Sequence, residues 1–217
     1  MNDAGRSPSG ATGVPAGAAG HEANGAAAGL APVHALILGG QKSGKSALAE
    51  QGAAHWLAAA PGRQASLLAT AVAGDAEMLA RIQRHQTDRA RRVPGLVTLE
   101  VAGDLGAALL AHSTPQRLLV VDCLTLWLTQ RLMPLHGDGL DDTALAAEVA
   151  RLLAALQRCG GPVIWVSNEI GLGVSPLGRE VRRFLDALGL LHQQLAAQCG
   201  RVHLMVAGIA LAVKETA

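Results

Sequence analysis

Two groups of residues in this chain have the types and spacing to do chemistry. The first is Gly39-Gly40-Gln41-Lys42-Ser43-Gly44-Lys45-Ser46, placed directly after the apolar run Ala35-Leu-Ile-Leu38 and directly before a helical pattern. A glycine loop ending in Lys-Ser between a buried strand and a helix is a P-loop in the context it requires. The glycines let successive backbone N–H groups converge on an anion, and the new helix adds its positive end. Lys45 offers a compact charge to the β- and γ-phosphates, and the Ser46 hydroxyl is a Mg²⁺ ligand. The chain has only three lysines among its 18 basic residues, and two of them, Lys42 and Lys45, lie in this loop. The second group is Arg117-Leu-Leu-Val-Val-Asp122, an apolar strand ending in a carboxylate. It reads either as a plain buried strand with a capping aspartate or as a Walker B strand whose Asp122 holds Mg²⁺. Beside a P-loop the metal reading is favoured.

These residues need a sheet to hold them. The spacing predicts a P-loop helix from Lys45 to about Ala60, a strand over Ala65–Ala71 and a charged helix from Asp75 to about Arg92. On that helix Met78, Ile82 and His85 share a face, and Glu77 and Arg81 pair on another. Further strands are expected at Leu96–Val101, Arg117–Asp122, Val163–Val166, Val202–Val206 and Ala210–Lys214. Helices are expected at Leu105–His112, Leu124–Met133, Thr143–Cys159 with Asp142 as its N-cap, and Leu177–Cys199. Alternation of strand and helix predicts a single α/β domain with a mostly parallel sheet flanked by helices. Ligands then bind at the carboxyl ends of the strands. Gly39–Ser46, Thr70, Asp122 and Asn168-Glu169 all fall at such ends, as a nucleotide-using enzyme needs.

Composition bounds the rest. At 217 residues there is room for one α/β domain, and a net charge of +1 gives no strong pull toward nucleic acid. No apolar run is long enough to span a bilayer, so no stable membrane insertion is expected. Cys123, Cys159 and Cys199 are odd in number and far apart, which suits reduced thiols in a cytoplasmic protein. Residues 1–32 are rich in Gly, Ala, Pro and Ser, so they are expected to form a disordered tail ahead of the domain at 33–217. A secretory signal is not expected there, because Asp3 stands at the start and His21-Glu22 interrupts the Ala-Gly run.

A series of further blocks narrows the chemistry. They are Ala69-Thr70-Ala71, Asp75-x-Glu77-Met78, Arg81-Ile82-x-x-His85-x-x-x-Arg89, Thr98-x-Glu100, Asp122-Cys-Leu-Thr-Leu-Trp-Leu-Thr129, Asn168-Glu-Ile-Gly-Leu-Gly173 and Val206-Ala-Gly-Ile209. In this order, over about residues 33 to 214, they resemble the bifunctional adenosylcobinamide kinase / adenosylcobinamide-phosphate guanylyltransferase family of cobalamin biosynthesis. The resemblance implies a RecA-like P-loop fold and a homotrimer. It implies that the enzyme phosphorylates adenosylcobinamide with GTP or ATP. It then passes GMP from GTP through a guanylylated histidine to adenosylcobinamide phosphate, releasing pyrophosphate. By this resemblance His85 is the nucleophile, and Ala69, Thr70, Ala71, Gln86, Thr87, Asp88, Arg89, Glu100 and Asp122 contact the nucleotide. A neutral imidazole with a pKa near 6.5 suits such an attack; on spacing alone His85 reads rather as part of an amphipathic helix face, and the resemblance reverses that preference. Asn168 and Glu169 could bind the corrinoid or organise metal and water. The chain departs from the family pattern at Ala90, Leu96-Val97, Leu185 and His192. Two other readings stay open from the motifs alone: a regulatory GTPase, and a P-loop kinase or ATPase of another substrate. Asp186-x-x-Gly189 lies inside a helical pattern, and no Asn-Lys-x-Asp appears, which weighs against the first.

Overall fold

The computed structural model describes residues 33–72 and 76–216, without the side chains of residues 76–79, 81, 82 and 85. The expected tail over residues 1–32, the helix start at Asp75, the apolar face of Met78, Ile82 and His85, and the Glu77–Arg81 pair therefore lie outside the described residues or side chains. Among the described residues seven strands form one sheet in the order β3-β2-β4-β5-β1-β6-β7. They are β1 (Ala35–Gly39), β2 (Gln64–Ala69), β3 (Leu96–Glu100), β4 (Arg117–Asp122), β5 (Val163–Val166), β6 (Arg201–Val206) and β7 (Ile209–Glu215). The helices are α1 (Lys45–Ala58), α2 (Ala76–Arg92), α3 (Leu105–His112), α4 (Leu124–Leu132), α5 (Asp142–Gln157) and α6 (Arg179–Gln198). All strand pairs are parallel except β6 with β7. β5 separates the P-loop strand β1 from the acid-bearing strand β4, and the whole is an α/β P-loop fold with a mostly parallel sheet flanked by helices.

The strands are apolar on both faces because both faces are covered. Leu36, Leu68, Leu119, Val121, Trp165 and Val202 pack under α3, α4, α5 and α6. The alternate residues Ile37, Leu67, Leu118, Val120, Ile164 and Met205 pack against Leu48, Ala49, Ala53 and Trp56 of α1. This alternation fixes the register, since a one-residue slip would turn each strand over between two differently shaped cores.

Most boundaries match the sequence expectation within two residues. One cap differs. Asp141, not Asp142, caps α5: its side chain accepts a hydrogen bond from the Ala144 N–H at 2.8 Å, and Asp142 is the first helical residue. Among the described residues no helix is long and apolar enough to cross a membrane.

Candidate functional site

The glycine loop bends away from β1 because Gly39 can do what other residues cannot. Its φ is +150°, and a Cβ there would stand 2.5 Å from the Met205 carbonyl oxygen and 2.7 Å from Ser43 Oγ. Gly44, at φ +102°, makes the second reversal into α1. Gly40, Gln41 and Lys42 are exposed, while Ser43 and Lys45 are buried. Lys45 Nζ folds back on the Gly40 carbonyl oxygen at 2.6 Å, across the space where the loop amides gather. Burial lowers its pKa, with Cys123 and Asp122 opposing.

Parallel pairing levels Asp122 with Ala69 of β2 and Val166 of β5. The Ser46 hydroxyl, 76 residues away in the chain, donates to Asp122 Oδ2 at 2.9 Å. Burial raises the Asp122 pKa; the Ser46 hydroxyl and the Arg89 charge pull it back down. A serine hydroxyl touching a carboxylate at the mouth of a phosphate loop is a small, hard, all-oxygen donor set. Mg²⁺ takes one or two such protein ligands and completes its shell with phosphate and water. Among the described residues no cluster of three or more His, Cys, Asp or Glu could hold a metal.

The remaining candidates divide. Gln86 and Glu100 meet at the β3 edge, Gln86 Nε2 donating to Glu100 Oε1 at 3.1 Å. Together with Ala90, Leu96 and Thr98 they line a cavity of about 470 Å³. Three strands, β2, β4 and β5, lie between this corner and β1, so it is about 19 Å from the phosphate loop across the sheet. Thr87 is exposed, and its hydroxyl donates to the Gln83 carbonyl. Asp88 is half-buried. Ala69 and Ala71 flank Thr70 at the end of β2, but the Thr70 hydroxyl is committed to the protein. It donates to the Cys123 carbonyl at 2.7 Å and accepts from the Cys123 N–H at 2.9 Å, while Gln130 Nε2 donates to the Thr70 carbonyl.

Arg89 is also turned to protein partners. Its Nε donates to Glu50 Oε1 at 3.2 Å, its Nη1 donates to Thr98 Oγ1 at 3.3 Å, and its Nη2 lies 3.8 Å from Asp122 Oδ2. Glu50 is buried on α1 and also binds Arg92. Thus Glu50 ties the P-loop helix to α2, the helix that carries His85. The His85 side chain lies outside the described residues. Sequence reasoning missed Glu50; its signal was that it is the one charged residue in the stretch Ala47-Leu-Ala-Glu50-Gln-Gly-Ala-Ala54. It also missed Ser167, Thr125 and His192 as a connected group: His192 Nε2 lies 2.7 Å from Ser167 Oγ, which is 3.2 Å from Thr125 Oγ1.

Residues 35–213 match the model of the family described as cobinamide kinase / cobinamide phosphate guanyltransferase. The bifunctional adenosylcobalamin biosynthesis protein CobP of Pseudomonas aeruginosa is 47% identical over 179 residues, covering 82% of this chain and 96% of the relative. The bifunctional adenosylcobalamin biosynthesis protein CobU of Escherichia coli is 34% identical over 187 residues, covering 82% and 98%. Among solved structures, the flagellar accessory protein FlaH of Methanocaldococcus jannaschii aligns over 85% of this chain and 80% of its own, with 11% identity and a TM-score of 0.49. With the family model running from the first residue of β1 into β7, the chain belongs to the cobinamide kinase / cobinamide phosphate guanyltransferase family.

Proposed function

We propose that this chain carries out both half-reactions of the family around one phosphate cradle. The observation that carries the reading is the 2.9 Å contact between Ser46 Oγ and Asp122 Oδ2 beside the Gly39–Lys45 loop. In the kinase half, the hydroxyl of adenosylcobinamide attacks the γ-phosphorus of GTP or ATP, and the nucleoside diphosphate leaves. The loop amides and Lys45 hold the phosphates and take up the charge that develops on them. Ser46 and Asp122 would hold Mg²⁺, which supplies charge neutralisation to the phosphate oxygens when bound.

In the transfer half, a ring nitrogen of His85 attacks the α-phosphorus of GTP and the bond to the β-phosphate breaks, releasing pyrophosphate. An oxygen of adenosylcobinamide phosphate then attacks the phosphorus of the phosphoramidate, forming adenosylcobinamide-GDP and returning the free imidazole. Glu100 and Gln86, at the wall of the β3-edge cavity, suit the hydrogen-bonding edge of guanine: the carboxylate accepts from the ring N–H and amino group, and the amide can donate to the carbonyl. Gln86, Thr87, Asp88 and Arg89 follow His85 on the same helix, so nucleophile and base recognition share one element. A cytoplasmic homotrimer is part of the same proposal; the apolar side chains Ile209, Leu211 and Val213, about half to two-thirds exposed on the edge strand β7, are a surface such an assembly could cover.

The test is incubation with α-labelled GTP. The expected result is a label that stays on the chain through denaturation, is released by acid and maps to the peptide holding Arg84 and His85. His85→Ala should lose this label and keep kinase turnover; Lys45→Ala should lose both. A stable label that persists in His85→Ala refutes the assignment.

A further inference from the structure

Sheet register and a buried chain of hydrogen bonds converge on Glu169. β5 lies between β1 and β4, and Val166 is level with both Ile37 and Asp122. The next residues, Ser167-Asn168-Glu169, therefore leave the sheet between the loop at Gly39 and the Asp122 carboxylate, about 4.8 Å from the strand on either side. Two backbone bonds hold them there: Ser167 N–H to the Ile37 carbonyl and Glu169 N–H to the Gly39 carbonyl, each 3.0 Å. The Glu169 side chain is 22% exposed, so a substrate can reach it.

Its support is buried. The imidazole of His192, reaching in from α6, sets Nε2 2.7 Å from Ser167 Oγ. Ser167 Oγ lies 3.2 Å from Thr125 Oγ1, which accepts from the Asn168 N–H at 2.8 Å. On the other side of the ring, Nδ1 is 3.9 Å from Glu169 Oε2, and Glu169 Oε1 accepts from the Gly171 N–H at 2.6 Å. Burial lowers the His192 pKa, with the Glu169 charge opposing, so the ring is neutral near pH 7 and carries one N–H. When Nε2 accepts from the Ser167 hydroxyl, that N–H is on Nδ1 and faces Glu169. One carboxylate oxygen is thus fixed by a backbone N–H, and the other is faced by an imidazole N–H.

We propose that Glu169 is the general base of the kinase half-reaction and that His192 is its positioning residue. The proposal rests on the function given above and assigns a group within it. The acceptor in that half is an alcohol. Its O–H proton passes to the Glu169 carboxylate as the oxygen bonds to the γ-phosphorus and the bond to the β-phosphate oxygen breaks; the proton then leaves to water. The acceptor in the transfer half is a phosphate monoester, already ionised near neutral pH, so it has no such proton to lose. The two half-reactions therefore differ in their need for Glu169.

The experiment measures both on the full chain, with adenosylcobinamide and GTP. Glu169→Gln keeps the shape and removes the base. Its kinase kcat is expected to fall about 100- to 1000-fold, with the nucleotide KM within about three-fold and acid-labile guanylylation by α-labelled GTP at the wild-type rate. His192→Ala should lower kinase kcat about ten-fold without moving that KM or the guanylylation rate, and His192→Asn, which keeps an N–H donor near the place of Nδ1, should recover most of the loss. Kinase turnover of Glu169→Gln within about three-fold of wild type overturns the proposal, as does a parallel loss of guanylylation. A His192→Ala chain that loses both half-reactions together overturns the positioning role. A wild-type chain that is guanylylated but phosphorylates no corrinoid overturns the proposed function as well, and is distinguished from the other outcomes by the unmutated control.

Discussion

Replacing Glu50 with alanine tests whether the P-loop helix and α2 are held together by charge. Glu50 is 3% exposed and accepts from Arg89 Nε at 3.2 Å, Arg92 Nε at 2.9 Å and Arg92 Nη2 at 3.2 Å. The two arginines differ in what they lose. The Arg92 side chain is 55% exposed and can turn to water, so its share is small. The Arg89 side chain is 8% exposed and cannot. Removing one partner of a buried pair costs about 3–5 kcal/mol, because the other charge is left without water or counter-ion. Arg89 keeps Thr98 and the Asp122 carboxylate at 3.8 Å, so the lower end applies, about 3 kcal/mol. For a domain of this size that lowers Tm by about 6–12 °C. Urea unfolding of Glu50→Ala, and of Glu50→Leu with Arg89→Met, measures it. The double variant, with both charges gone and apolar volume kept, should recover most of the loss. Arg89 released from Glu50 keeps Asp122 as its one remaining counter-charge among the described residues, so the kinase of Glu50→Ala should need more Mg²⁺ for half-maximal rate. A loss below about 1 kcal/mol in Glu50→Ala, or a double variant as unstable as the sum of the singles, refutes the clamp.

Two further outcomes follow from buried titrating groups. Burial raises the Asp122 pKa above its ordinary value of 3.8. The stability linked to this group is therefore fully present below that value and is lost as pH rises through the folded pKa. Near neutral pH its ionised carboxylate costs the nucleotide-free chain stability, and Asp122→Asn should gain about 0.5–2 kcal/mol in unfolding while losing Mg²⁺-dependent turnover; a less stable Asp122→Asn contradicts the sign. Burial lowers the pKa of His34, His192 and His203 below the ordinary 6.5. The unfolded chain binds protons there first, so stability is present above pH 6.5 and falls as pH drops below it. Denaturation midpoints between pH 7.5 and 5 should show this fall. It should be shallower in His203→Gln, whose ring is 1% exposed in the wild type, and a flat wild-type profile refutes it.

What the sequence made legible was local. The phosphate loop spans eight consecutive residues, of which Gly39, Gly44, Lys45 and Ser46 are each needed for a backbone, charge or metal reason, so it could be read without neighbours. β4, β5 and α3 were bounded correctly because apolar runs end at turn or capping residues. The choice between Asp141 and Asp142 as a cap was not legible: two adjacent aspartates are equivalent until one side chain meets the Ala144 N–H. β7 was readable as a strand but not as an antiparallel one. Its return is a two-residue turn at Ala207 and Gly208, with φ of 51° and 83°, and alanine is not a residue that announces such a turn. Thr70 was legible as a strand-end residue and Arg89 only through the family resemblance; what neither showed was their protein partners, Cys123 for the Thr70 hydroxyl and Glu50 for the Arg89 guanidinium.

Residues that would meet phosphate and residues that hold a site together need different surroundings. A side chain that must meet a mobile substrate has to keep a free face, and a buried polar side chain must find partners within the protein. Lys45, whose ammonium donates to a loop carbonyl, and Ser46 with Asp122, bonded to each other where a cation would stand between them, have partners that a ligand can displace. Arg89 has partners on three elements, Glu50 on α1, Thr98 on β3 and Asp122 on β4, and of these Glu50 is buried. Its place between Glu50 on the P-loop helix and Asp122 on β4 makes it sensitive to both ends of the site. A nucleotide that draws Asp122 toward a cation would leave Arg89 to Glu50 and Thr98, which join α2 to α1 and to β3.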